Sequence, residues 1–187
     1  MVSETWLAAQ PKTYDLLRVN AFQLVIHPLP TVSYFAYEAN LPGVSLGVAN
    51  QPTPLHDLPV AGDKLEYSDF SLMFQVSEDM RNWFELFQWI TGLGFPDTHQ
   101  QFSDLQNSSQ MKRLTTNITP YSDETAIYAD ATLYLLDAAN NPKIKFNFVD
   151  LFPVGLTDMT MNADIEEMSY LQCRATFKYK GMSVDIS

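Results

Sequence analysis

The sequence predicts a mainly β protein: an antiparallel β-sandwich or barrel with one amphipathic α-helix and long loops. Three observations predict it. Apolar and polar residues alternate at period two through most of the patterned segments. A single segment, "SEDMRNWFELFQWITGL", carries the period of a helix. Turn chemistry such as "AANNP" separates the strand-like runs. At 187 residues and 46% hydrophobic the chain has the apolar mass for one sizeable core. One domain over residues 1–187 is expected, with 1–19 as an amino-terminal extension.

In "NAFQLVIH", Phe22, Leu24 and Ile26 alternate with Ala21, Gln23 and Val25, and in "VSYFAYEAN" Phe35 and Tyr37 share a face; both read as strands. The stretch from Leu41 to Asp63 is dense in proline and glycine, too punctuated for a central strand, and reads as an extended excursion or loose edge hairpin. "LEYSDFSLMFQV" then sets Phe70, Leu72, Phe74 and Val76 on one side. Ser77 is placed to cap the helix, Glu78 and Asp79 lie near its positive end, and Gly92, Gly94 and Pro96 are placed to stop it.

Within the helix, Met80, Trp83, Phe84, Phe87 and Ile90 fall on one stripe and predict the buried face. Trp89 then projects away from the core, flanked by Leu86 and Leu93. A large aromatic in that position suits an interface anchor.

Residues Asp97 to Glu124 form a polar stretch without periodicity, longer than ordinary connections in a compact domain. Strand signals return in "TAIYADATLYLLD" and "KIKFNFVDLF", which the intervening turn joins as a hairpin. The carboxyl-terminal "SYLQCRATFKYKGMSVDI" reads as one long strand with Leu171, Cys173, Ala175, Phe177 and Tyr179 inward and Arg174, Lys178 and Lys180 on the wet side.

The chemistry-bearing residues do not assemble into a motif. His27, His56 and His99 are scattered, no HExxH, GxSxG, P-loop or GxGxxG is present, and Asp63, Glu66 and Asp69 read as solvated surface. No enzyme activity, metal or cofactor is expected. The sequons at Asn107 and Asn117 are read as chance matches. Against 11 Lys plus Arg stand 22 Asp plus Glu, a net charge of −11, which disfavours a nucleic-acid-gripping surface. The lone Cys173 leaves no intrachain disulfide and suits a reducing compartment. The first seventeen residues lack the charge and apolar pattern of a Sec signal, and no stretch is long and apolar enough to span a membrane.

An ordered series of segments carries a family resemblance: "NAFQLVIHP" at the first strand, "ANLPGVSLG" with its Leu-Pro-Gly turn, "LPVAGDKLEYSDFSLMFQV", the acidic-capped helix ending in "WITGLG", and "DLFPVGLTDMTMN" before the last strand. From about Asn20 onward the chain resembles the tail tube proteins of contractile-tailed bacteriophages, whose fold is shared with the haemolysin-coregulated protein of type VI secretion.

The resemblance implies a structural virion protein of the phage tail, assembled in the host cytoplasm. Protomers of that family form hexameric rings that stack into a tube, surrounded by sheath, ending on a baseplate and filled by tape measure protein before DNA passes without specific binding. Leu41 to Asp63 and Asp97 to Glu124 are then the expected ring-stacking arms. Trp89, Leu86, Leu93, Arg174, Lys178 and Lys180 are the expected self-assembly contacts. A baseplate tube initiator or tail terminator of the same fold is the alternative. From another class, the alternative is a β-sandwich carbohydrate-binding module with Trp89 as its stacking platform.

Overall fold

The alternating segments do form strands, and their apolar faces meet in one core. The computed structural model describes residues 16–94, 100, 103–104, 128–162 and 169–186. In chain order these contain β1 (Phe22–Ile26), α1 (Pro30–Phe35), β2 (Ala36–Ala39), β3 (Val44–Gln51), β4 (Leu58–Tyr67), β5 (Phe70–Gln75), α2 (Arg81–Gly94), β6 (Ala129–Leu136), β7 (Pro142–Leu156), β8 (Gln172–Lys178) and β9 (Gly181–Ile186).

Seven strands make one continuous antiparallel sheet in the order β1-β6-β7-β8-β5-β2, with β9 also on β7. The sheet folds over along β7. Its first part, Ile144 to Val149, pairs β9 and lies beside β6, whereas Phe152 to Leu156 pairs β8. The change falls at Asp150, which takes φ 54°, a left-handed conformation uncommon for a residue other than glycine. Side-chain bonds hold it there. Lys180 Nζ lies 3.1 Å from Asp150 Oδ2, and the Asp150 N–H donates to Asp130 Oδ1 at 3.2 Å.

The two halves close on each other around Leu24, Ile26, Ala131, Leu133 and Phe148 from one side and Phe70, Leu72, Phe74, Ala175 and Phe177 from the other. Phe70 and Phe148 bridge them with ring centroids 4.8 Å apart. The fold is mainly β and sandwich-like. It is not a closed barrel, because β1 and β2 end the strand order without pairing to each other.

Four expectations need correction. Residues 30–35 form a short helix, so the described residues hold a helix besides α2; Pro30 presets its first-turn backbone. Ser33 Oγ donates to the Leu29 carbonyl and accepts from the Ile26 N–H, both at 3.0 Å, satisfying the groups that a strand would have bonded differently. The carboxyl-terminal strand is two strands, broken at Tyr179 and Lys180 because β8 and β9 pair with opposite ends of the bent β7. The Pro-rich stretch is a hairpin, β3–β4, as one of its two readings had it, but it is no edge of the main sheet: bulged between Leu46 and Val48, it forms a two-stranded sheet of its own.

The fourth correction reverses the face of α2. Asn82, Leu86, Trp89 and Gly92 are buried, Leu93 packs on the core, and Phe84 and Phe87 stand 50% and 41% exposed. Gly92 therefore lies within the helix on its packed face rather than ending it. Asn82 explains the orientation. Its Nδ2 donates to the Gln75 carbonyl at 2.8 Å, and its Oδ1 accepts from the Ser77 and Trp83 N–H groups, so it stitches the end of β5 to the start of α2. Asp79, rather than Ser77, accepts the Arg81 N–H. The Ser77 hydroxyl donates to Asp79 at 2.6 Å, and that bond is the main reason its carboxyl titrates below the ordinary value. Residues 97–99, 101–102 and 105–124 of the long polar stretch lie outside the described residues.

Candidate self-assembly interface

Among the described residues, three exposed features stand out once the core is assigned. The first is the β3–β4 hairpin. Val44 faces Tyr67 and Leu46 faces Leu65 across it, each about half or one-third exposed. Val48, Leu58 and Val60 are also exposed, and Leu55 at the tip is 93% exposed. Its strands pack extensively on each other and much less on the rest of the described fold. Two strands alone are marginal in water, so an arm this apolar calls for a covering surface.

Gly47 and Gly62 pinch the arm at its bulge. A Cβ on Gly62 would sit 2.6 Å from the Gly47 carbonyl oxygen, which explains glycine at that position.

The second feature is the outer face of the first half-sheet, where the register aligns Gln23, Tyr134, Lys145 and Asp185 in one row and Val25, Thr132, Asn147 and Ser183 in the next. Thr132 bonds Asn147 at 3.2 Å, Asn147 Nδ2 donates to Asp185 at 2.8 Å, and Lys145 sits over the Tyr134 ring. The result is a hydroxyl- and amide-rich surface on which Lys145 and Asp185 offset each other. Beside its edge strand β1 lies an open groove of ≈ 490 Å³, lined by Phe22, Leu24, Ile26, His27, Tyr34 and Ala36. At the opposite edge, β9 leaves Val184 and Ile186 exposed.

The third is the outward face of α2, where Phe84 and Phe87 are exposed and Phe87 stacks on Trp83, itself partly buried against the core, with centroids 5.1 Å apart and planes 13° from parallel. Phe84 and Phe87 occupy the exposed position expected of Trp89. Trp89 itself is 1% exposed and Leu86 is fully buried, both inside the protomer, which leaves no platform on Trp89 for a sugar ring. The sequence signal for the true face was present in the Leu86, Trp89, Leu93 spacing.

The expected basic contacts all lie outward and within reach of carboxylates of the same chain. Arg174 stands 3.6 Å from Glu38, Lys178 3.4 Å from Asp69, and Lys180 3.1 Å from Asp150, with Lys180 also over the Tyr128 ring. They are spread over the second half-sheet and the bend of β7 and are not gathered with Trp89. Exposed pairs like these contribute little to stability.

Among the described residues no group of three His, Cys, Asp or Glu side chains converges on a metal-sized site, and no helix is long and apolar enough to cross a membrane. Burial pushes the Cys173 thiol above its ordinary value, the opposite of an activated nucleophile.

No protein-family model and no curated protein sequence matches the chain. Solved structures do. A chain of the anti-feeding prophage tube-terminating cap matches with TM-score 0.57 at 12% identity, over 96% of this chain and 97% of that one. A chain of the sheath–tube complex of an extracellular contractile injection system, in its extended state, matches with TM-score 0.56 at 12% identity over 100% of both. A chain of the sheath/tube terminator of such a system matches with TM-score 0.53 at 11% identity, over 94% and 99%.

The chain has the tail-tube fold. Against those structures the tail-tube fold here is essentially full length, so the hairpin, both half-sheets and α2 all lie within the matched span. At such low identity the likeness is one of backbone, and the side chains that face outward are this chain's own.

Proposed function

We propose that the chain is the inner tube subunit of a contractile tail, a structural and non-enzymatic part of a phage particle. The observation that carries this reading is the β3–β4 arm, an apolar hairpin standing off a tail-tube fold. Copies form a six-membered ring, and the arm of one ring lies on the body of the next, covering Leu46, Leu65 and their neighbours. The ring is closed by the first half-sheet. Its four strands alternate in direction, so β9 of one copy continues antiparallel beside β1 of the next, a head-to-tail contact that closes by rotation.

The outer face of that sheet then lines the bore. A duplex carries one negative charge per about 1.7 Å of axis. An evenly balanced polar wall and a net charge of −11 suit its transit and not its capture. Residues 1–187 act as one unit, with 1–19 as an extension. Arg174 and Lys178, with the α2 aromatics, are left for the outer surface that sheath and baseplate proteins meet, and a tape measure protein occupies the bore.

Negative-stain microscopy of the purified protein over a concentration series tests this reading. Rings and stacked tubes are expected. A monomer at every concentration overturns it. Single rings that never stack favour a second reading, a cap or terminator, which the match to the tube-terminating cap supports. Removing residues 181–187 is expected to leave no rings, and rings of unchanged size would place the seam elsewhere.

A further inference from the structure

One cross-strand row on the outer face of the second half-sheet, the row that contains Arg174, carries a chemistry beyond assembly. The register sets Glu38 of β2 opposite Met73 of β5, and Met73 opposite Arg174 of β8. A bulge between Ala36 and Glu38 brings Tyr37 to the same sulfur. Arg174 Nη2 donates to Met73 Sδ at 3.1 Å, and the Tyr37 hydroxyl points to it at 3.8 Å. A thioether is a weak acceptor, so a guanidinium and a phenol are both aimed at an atom that returns little. Solvent reaches the cluster, since the Arg174 and Glu38 side chains are 45% and 60% exposed.

We propose that Met73 is an oxidation site, with Arg174 and Tyr37 as the receptor for its sulfoxide oxygen. The oxidant is a peroxide. The sulfur lone pair attacks one oxygen of hydrogen peroxide, the S–O bond forms as the O–O bond breaks, and the departing hydroxide takes the proton of the sulfur-bound oxygen, leaving sulfoxide and water. Sulfur loses two electrons and the peroxide gains them. The new oxygen carries substantial negative charge, so the two weak contacts become charge-assisted hydrogen bonds of ordinary strength. Arg174 turns from its long, exposed contact with Glu38 to the sulfoxide. Glu38 is released on β2, the outermost strand of this half-sheet.

Oxidation makes the sulfur a stereocentre. Arg174 reaches the sulfur from β8 and Tyr37 from β2, the strands on either side of β5, so a cation and a neutral phenol make the two faces of the sulfur unequal and one epimer dominates. Met161, 74% exposed, is the internal control without this arrangement.

The experiment treats the intact protein with hydrogen peroxide, divides it between the two epimer-specific methionine sulfoxide reductases, and reads each methionine by peptide mass spectrometry. Met73 is expected to give one epimer in at least about fivefold excess, and Met161 a near-even mixture. Arg174→Leu and the milder Tyr37→Phe should each move the Met73 ratio toward that of Met161. An even ratio at Met73 in the unaltered protein overturns the proposal. So does a bias that survives both substitutions, or a Met73 that stays reduced after Met161 has converted.

Discussion

Asn82 decides more of this structure than any apolar residue on its helix. A polar side chain at that position argues for an outward face, and the competing stripe through Trp83, Phe84 and Phe87 is as apolar as the true one through Leu86, Trp89 and Leu93. Periodicity alone cannot choose between two apolar stripes of one helix. The choice is made by the backbone groups of Gln75 and Ser77, which need the Asn82 amide. Replacing Trp89 with Ala should therefore destabilise the isolated protomer by about 3–5 kcal/mol, as for other buried aromatics. Phe84→Ala should cost under about 1 kcal/mol, the range of exposed positions. Denaturant unfolding of the two variants measures both, and equal costs would return Trp89 to the surface.

At the scale of elements, alternation made the strands legible because each has one wet face: Phe70, Leu72 and Phe74 lie inward as the pattern requires. The breaks were not legible, since residues 170–186 keep their alternation through Tyr179 while changing partners. The β6–β7 turn was read correctly for a local reason. The Asn141 N–H, with the Ala139 N–H, bonds the Asp137 carboxylate and lowers its titration point. That lowering gives stability which is present above the unfolded-state value and lost as pH falls through the folded one. Asp137→Asn should thus melt below the parent protein at neutral pH, with the gap closing in acid.

The arm offers a second test at this scale. Gly62→Ala forces the strands apart at the pinch, so tubes should fail to form while the melting temperature of the protomer, whose core lies elsewhere, holds. A large drop in that temperature would show that arm and body are energetically joined.

For the whole molecule, the fold class was legible from the sequence, and the proposed function rests on that fold and its exposed arm. What the sequence hid was how the pieces share support, because the bend at Asp150 leaves no mark in the alternation of "KIKFNFVDLF". One strand, β7, is bonded to β6, β8 and β9, so both half-sheets are built on the same covalent beam. A load applied to one half passes along that beam to the other without crossing a side-chain contact. No half can open while β7 stays whole. Its interior amides, at Phe146, Phe148 and Phe152, should therefore exchange with deuterium only through global unfolding, at the slowest rates in the protein. Faster exchange on one side of Asp150 would mean that the halves yield separately. If they do not, a protomer pulled along β7 breaks all at once or not at all.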